Sequence, residues 1–293
     1  MIALEEGVPL ARLTTIGTGG PARWLGRPES IEELGEVLGW AQREGIDVET
    51  IGLGSNVLAH DDGVDALVLR LAGALAEARV EGETLVAGGG AANAVCLHRA
   101  RAAGLGGFEF ASAIPGTAGG GLRMNAGAYG SDWRATMIDA VVVGPASVRT
   151  VTPGELELGY RRSNLGPGEV VALVRFRLTP SSPAEIKAKV AELLARRKAT
   201  QPTTKRTFGS VFKNPEGGPG AGSLIEQCGL KGFRIGGAVV SERHANFIEN
   251  AGGATSADAV GLMTEARRRV HESYGIELEH EVRFLGPLEL PAL

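Results

Sequence analysis

The stretch IPGTAGGGLRMNAGAYG, residues 114–130, places six glycines and an asparagine in one loop. So much glycine suggests that the backbone itself is laid against a flat or anionic ligand, where a side chain would intrude. A second loop of this kind, IGLGSNVL (51–58), follows the extended stretch DVETI. There Gly52 and Gly54 allow close approach, while Ser55 and Asn56 add donors to successive N–H groups, the makings of an anion nest. One Gly-x-Gly is more often an ordinary turn, but two donor-rich loops point to a ligand bearing a diphosphate. Neither loop is a G-x-G-x-x-G opening a helix, which argues against the dinucleotide fold of ordinary dehydrogenases. Neither is a P-loop, and GGPGAGS (217–223) lacks the P-loop lysine. Glycine is high throughout, 44 of 293 residues, or about twice ordinary usage, without a collagen-like period.

Other bulk properties narrow the class. A net charge of −4 and 22% charged residues give no electrostatic reason to expect nucleic acid as a partner. Arg196-Arg197-Lys198 and Arg267-Arg268-Arg269 read as solvated helix faces. Cys96 and Cys228 lie far apart and outside any C-x-x-C, so neither a disulfide scaffold nor a cysteine-type metal site is expected. The start, MIALEEGVPL, is acidic and lacks a basic-then-apolar leader, and no apolar run approaches membrane-spanning length. The expectation is a cytoplasmic protein with no membrane and no metal.

Caps mark the helices. Ser30 with Glu33 opens one carrying Leu34, Val37, Leu38 and Ala41, stopped by Gly45. Ser182, Pro183 and Glu185 open a second with Ile186, Val190, Leu193 and Leu194; Ser256 opens a third through Val260, Met263 and Val270 to Gly275. A fourth runs from Asn93 to Ala103, with Gly104 as its stop. Strands are expected at 65–71, 137–144, 169–178 and 244–250. In the third, Ala172, Val174, Phe176 and Leu178 share one face and Arg175 and Arg177 the other, so a sheet edge or half-exposed sheet is expected. The class is α+β, with the best domain boundary at Ser-Ser-Pro, 181–183.

Six motifs in order, TTIGTGGPARW (14–24), GLGSNVL (52–58), the 114–130 loop, GYRRSNL (159–165), GSVFKNP (209–215) and EVRFLG (281–286), resemble the UDP-N-acetylenolpyruvoylglucosamine reductase family over about residues 13–286. The resemblance implies a two-subdomain FAD-binding fold of the vanillyl-alcohol-oxidase (PCMH) type over 1–181, with subdomains of about 1–72 and 73–181. A C-terminal α+β substrate-binding domain over 182–286 and a tail, 287–293, would follow. Between Tyr160 and Ser210 there is room for one strand, one helix and a connector, so the chain is similar to the second type, which lacks the tyrosine-bearing lid. By the same resemblance FAD is held by Gly52, Gly54, Ser55, Asn56, Gly116, Gly119, Asn125 and Gly127, with Thr15 and Gly19 beside them.

The implied reaction reduces an enolpyruvyl ether to a D-lactyl ether in peptidoglycan precursor synthesis, with NADPH as hydride-donating cosubstrate and flavin N5 delivering hydride to C3. Negative charge then builds on C2 and the carboxylate, which calls for charge stabilisation and a proton. Arg161 matches the arginine that grips the carboxylate, although spacing alone does not say whether Arg161 or Arg162 points inward. Glu281, placed on a strand with Arg283 on the same face, matches the glutamate that stabilises the enolic form while protonated. Ser210 matches the proton donor to C2, and Gly209-Ser210-Val211 is no hydrolase elbow. Tyr160, Lys213, Asn214 and His244 match contacts to the UDP-sugar, though a lone histidine such as His244 is more often structural. The chain is expected to be a monomer. An FAD-linked oxidase on the same fold is the alternative reading. The chain departs from the family at Ala113, where many relatives carry glycine, and at Gly121, where a bulkier small residue is common.

Overall fold

The computed structural model describes residues Ile2–Leu293. The chain forms two compact units, each of discontinuous segments. The first takes the chain up to Glu6, Trp24–Leu53 and Ala66–Arg197; the second takes Gly7–Arg23, Gly54–Asp65 and Lys198–Leu293. Sequence reading drew contiguous domains instead. The reason for the difference lies in the second unit's core, where Ile16 and Leu58, far upstream, are buried with Phe208, Phe212, Leu262 and Met263.

In the first unit a five-stranded antiparallel sheet runs in the order Ser147–Val151, Met137–Gly144, Val170–Arg177, Thr84–Gly88, Ala78–Glu81. Val170–Arg177 is therefore central, not an edge. The partners of Val141 and Val142 are Leu173 and Val171, so Ala172 is an extra, bulged residue. The bulge breaks the single alternation read from the sequence. Val170 and Ala172 pack with Leu34, Val37, Leu38 and Ala41 of the helix Ile31–Arg43. Val174, Phe176 and Leu178 belong to a second cluster around Trp133, Phe108 and Phe110. Both faces of the strand's first half are covered, and Arg175 is held by Asp139 at 2.6 Å.

Helix starts follow their caps with one correction. Ser30 Oγ accepts the Glu33 N–H, and Ser182 Oγ the Glu185 N–H, as expected. The helix Ser256–Tyr274 is capped not by Ser256 but by Thr255, in a reciprocal box with Asp258. Ser256 is wholly buried, and its hydroxyl donates to Thr18. Asp61 supplies a further cap, accepting the N–H groups of Ser256 and Ala257 at 2.8 and 2.9 Å. Nor is Arg267 a solvated face. It is 8% exposed and donates to the carbonyls of Leu278 and Pro291 and to Glu277, as a buried guanidinium must. The strand expected at 244–250 is shorter, Ile248–Asn250, because His244–Phe247 closes a turn with Phe247 N–H on the His244 carbonyl. It pairs with Ala238–Val240 in a three-stranded antiparallel sheet.

Gly121 has a packing reason. A Cβ there would come within 2.3 Å of Cζ2 of Trp133, a fully buried ring whose Nε1 donates to the Ala118 carbonyl. Phe108, Phe110 and Phe176 enclose that ring with centroids at 5.7, 5.5 and 6.0 Å, so it cannot yield. Gly121→Ala should lower stability by about 1–3 kcal/mol in denaturant unfolding, although alanine favours a helix over glycine. Adding Trp133→Phe should recover part of that loss, and strict additivity of the two substitutions would contradict the contact. The capping box makes a pH prediction. N–H groups of Thr255 and then Gly237 hold the Asp258 carboxyl below its ordinary range. Its contribution is therefore complete above the unfolded carboxylate pKa and lost as pH falls through the lower folded value. Asp258→Asn should cost about 1 kcal/mol at neutral pH, and the difference from the parent should shrink below about pH 4.

Candidate active site

Gly52 of the first glycine loop meets the 114–130 loop within the first unit. A Cβ on Gly52 would lie 2.7 Å from Thr117 Oγ1, and Thr117 caps the short helix Ala118–Arg123 by accepting the Gly120 N–H. Gly116 adopts φ +145°, and its carbonyl takes the Asn93 N–H at 3.0 Å. Beside it is a cavity of about 520 Å³ with Leu53, Leu97, Ile114, Val190 and Leu194 among its lining residues. Two buried oxygens of the lining, Asn93 Oδ1 and Ser112 Oγ, have no hydrogen-bond partner in the protein. Such atoms are costly unless a ligand or water satisfies them. An apolar cavity with two unmet oxygens beside a glycine loop fits a large heteroaromatic cofactor that carries its own N–H and O–H donors, as FAD does. Sequence reading missed Asn93 and Ser112, for an asparagine at a helix start reads as a cap, and the cap here is Ala92.

At other glycines assigned to the cofactor, neighbouring protein atoms fill the space a side chain would need. A Cβ on Gly119 would strike the Gly89 carbonyl at 2.8 Å, one on Gly127 the Ser131 carbonyl at 2.7 Å. In the second unit, Gly54 (φ +66°) lies against the Leu13 carbonyl, and Gly19 against Ala59. Thr15 closes over Gly54, its hydroxyl donating to the Thr207 carbonyl at 2.6 Å and its N–H to the Gly54 carbonyl at 3.0 Å.

Asn125 is 3% exposed, and its side chain is turned into the protein. Its Nδ2 donates to the Gly159 carbonyl at 2.9 Å and to Asp132, while Oδ1 accepts the Arg134 N–H. It thereby ties down the loop that carries Tyr160 and Arg161. That region is strained: Asn125, Tyr129, Glu157 and Arg161 all adopt positive φ, which L-residues with side chains resist. Arg161 is half-buried, and its Nη2 donates to the Gly127 carbonyl at 2.9 Å, whereas Arg162 is exposed. The structure thus separates the adjacent pair that spacing could not. Tyr160 is 53% exposed, its ring centroid 5.0 Å from the Arg161 guanidinium carbon.

Ser210, Lys213, Glu281 and Asn56 come together in the second unit. Gly209, at φ +85°, turns the chain into Ser210, which is half-buried. Val211–Lys213 then runs antiparallel to Glu279–Glu281: Glu281 N–H donates to the Val211 carbonyl at 2.8 Å and Lys213 N–H to the Glu279 carbonyl at 2.9 Å. Glu281 precedes the strand Arg283–Leu285 rather than lying on it, so the expected strand alternation with Arg283 does not place it. Asn56 bridges the same segment, Nδ2 to the Glu281 carbonyl at 3.0 Å and its own carbonyl to the Arg283 N–H at 3.1 Å. Ser55 is half-buried next to it. Lys213 pairs with Glu279 through its ammonium group, and Asn214 Oδ1 accepts the Ala221 N–H at the start of the helix Ala221–Gln227. His244 Nδ1 accepts the Asn246 N–H, its ring edge meets Phe247, and burial pushes its pKa down, so the imidazole is neutral with the proton on Nε2. Among the described residues no cluster of His, Cys, Asp or Glu could hold a metal, and no helix is long and apolar enough to cross a membrane.

The family model described as an FAD binding domain matches residues 23–153, and the one described as the UDP-N-acetylenolpyruvoylglucosamine reductase C-terminal domain matches residues 201–285. UDP-N-acetylenolpyruvoylglucosamine reductase 2 of Symbiobacterium thermophilum is 45% identical, covering 97% of this chain and 92% of that protein. The reductase of Novosphingobium aromaticivorans is 43% identical over 97% of this chain and 95% of its own. Among solved structures, UDP-N-acetylenolpyruvylglucosamine reductase of Thermus caldophilus superposes with a TM-score of 0.85 at 36% identity, covering 97% of this chain and all of that one. With an FAD-binding domain, a reductase C-terminal domain and relatives matched along nearly their whole length, the chain belongs to the UDP-N-acetylenolpyruvoylglucosamine reductase family.

Proposed function

We propose that the protein reduces UDP-N-acetylglucosamine enolpyruvate to UDP-N-acetylmuramate at the expense of NADPH, in peptidoglycan precursor synthesis. The observation that carries this reading is the backbone pairing that sets Ser210 and Glu281 on adjacent segments. The Gly52–Asn56 and Gly116–Gly127 loops would hold FAD, which would supply the two-electron chemistry between NADPH and C3 of the vinyl group.

The chain's own residues handle the charge and the proton. Arg161 takes the substrate carboxylate. A guanidinium offers five N–H donors in a rigid plane, and anchoring Nη2 on the Gly127 carbonyl fixes that plane's tilt. Glu281, protonated, donates to the carboxylate oxygen as electron density moves onto it. An ionised carboxylate there would repel the same charge. Ser210 gives its hydroxyl proton to C2. A serine hydroxyl is a weak acid, but a carbanion-like centre is a strong base, so positioning is sufficient. Lys213, with its ammonium group steadied by Glu279, and Asn214 contact the UDP-sugar, with Tyr160 covering the carboxylate end. His244 can offer a ligand only its Nε2–H, since Nδ1 is committed to Asn246.

The reading is tested by an anaerobic absorbance trace of the purified flavoprotein. NADPH should bleach it, and the enolpyruvyl UDP-sugar should restore the colour; bleaching without restoration would overturn the assignment. Ser210→Ala should leave reduction by NADPH near the parent rate and slow reoxidation by substrate by several orders of magnitude, about the contribution of a positioned acid. Equal slowing of both steps would remove Ser210 from the proton transfer. Arg161→Lys, which keeps the charge and loses the fork, should lower kcat/KM for the enolpyruvyl substrate about 10²-fold with bleaching by NADPH preserved.

A further inference from the structure

Asn246 is 4% exposed, lies in no sequence motif assigned to cofactor or substrate, and touches the Ser210 segment at three points. Its backbone carbonyl accepts the Val211 N–H at 2.9 Å. Its side-chain Oδ1 accepts the Phe212 N–H at 2.9 Å, and its Nδ2 donates to the Phe212 carbonyl at 2.8 Å. In a hydrogen-bonded antiparallel pair, a residue exchanges its N–H and C=O with one residue opposite. Here a side-chain amide plays the residue opposite, because it alone among short side chains presents one acceptor and donors side by side. On the other edge of the segment, Val211 C=O and Lys213 N–H bond the Glu279–Glu281 backbone. Phe212 is thus bonded as a central strand residue between one real strand and one side chain, at a site where its peptide groups have no access to water.

We infer that Asn246 is a positioning residue for proton delivery, holding the segment that begins at Ser210 by standing in for a missing strand. The inference rests on the proposed role of Ser210. Its logic is leverage over a short distance. Gly209 at φ +85° allows the chain to enter from a turn, so the place of Ser210 is set by Val211 and Phe212, and Asn246 fixes both. A displacement of about 1 Å at a reacting group lowers a rate about 10²-fold. Asn246 should therefore matter to the step that uses Ser210 and not to reduction of the flavin by NADPH.

Asn246→Asp gives a test that a merely structural residue would not pass. The ionised carboxylate has no donor and sets negative charge against the Phe212 carbonyl, whereas the protonated carboxyl restores one acceptor and one donor in the amide's shape. Burial at this position raises the carboxyl's pKa above its ordinary value. The charged and titratable groups around it are His244, bonded to the Asn246 N–H, and Lys213, Glu279 and Glu281 on the segments paired with Val211–Lys213.

At about pH 9 the variant holoprotein should be bleached by NADPH within about 2-fold of the parent rate, while its reoxidation by the enolpyruvyl UDP-sugar is about 10²-fold slower. Lowering the pH to about 6 should bring reoxidation back toward the parent value at the same pH. Asn246→Ala should be slow at every pH. Amide hydrogen exchange over residues 210–213 should be faster than in the parent for Asn246→Ala at every pH and for Asn246→Asp only at high pH. Parallel slowing of both half-reactions, parental reoxidation by Asn246→Asp at high pH, or a folded Asn246→Asp that never recovers would each overturn the inference. Should Asn246→Ala not fold, Asn246→Asp alone decides. A parent protein that the enolpyruvyl sugar fails to reoxidise would instead defeat the proposed reaction, and hydrogen exchange would still report whether Asn246 holds the segment.

Discussion

Three short backbone segments, Asn56–Ala59, Val211–Lys213 and Glu279–Leu285, are tied into one another, and the chemistry of the second unit hangs on that knot. Val57–Ala59 runs parallel to Arg283–Leu285, Asn56 reaches the Glu281 carbonyl, and Glu279–Glu281 pairs with Val211–Lys213. These residues come from opposite ends of the chain, and closing loops of that length is entropically unfavourable until the contacts are made together. The compensation comes from the apolar residues of the same segments. Leu58, Val211, Phe212, Val282 and Leu285 are each 2% exposed or less, and all but Leu285 join the core formed by the helices Ser256–Tyr274 and Ala221–Gln227. Val211 and Phe212 are consecutive, so both faces of the segment are covered there, while Ser210 and Lys213 at its two ends remain half-buried.

The arginine loop of the first unit uses the opposite device. The segment after Ser210 has its peptide groups paired from the Val211 N–H to the Lys213 N–H, but Arg161 stands in a left-handed conformation that costs about 1 kcal/mol or more. Such a conformation persists only if its surroundings over-determine it, and here Asn125 does so by taking Gly159 with Nδ2 and Arg134 with Oδ1. In both places a buried asparagine amide bonds backbone two positions from a side chain proposed to act on substrate. An amide suits the task because it pairs with both peptide groups and carries no charge into the interior.

What was legible in the sequence was whatever depends on near neighbours. Ser30 with Glu33, Ser182 with Glu185, and the glycines at 45, 104 and 275, all at positive φ, mark helix ends through contacts three or four residues long. Order and spacing of six motifs sufficed for the family. What escaped depends on which distant group a residue meets. Ser256 looked like a cap, and Thr18 takes its hydroxyl; Arg267 looked like a solvated charge, and the carbonyls of Leu278 and Pro291 take its donors. The bulge at Ala172 is invisible for the same reason, since an extra residue in one strand exists only relative to its partner.

The glycines show the same limit most sharply. Read from sequence, close backbone approach implied a ligand on the other side of each one. In the structure Gly54, Gly119 and Gly127 approach other backbone: the carbonyls of Leu13, Gly89 and Ser131 occupy the space a Cβ would need. Such glycines are still functional in effect, because they let the loops fold tightly enough to leave room elsewhere. Gly116, with a positive φ and the cavity of about 520 Å³ beside it, is where backbone turns toward unfilled space. A glycine cluster therefore marks a loop that packs to its limit, whereas the unmet oxygens of Asn93 and Ser112 mark polar groups that the protein itself leaves unsatisfied.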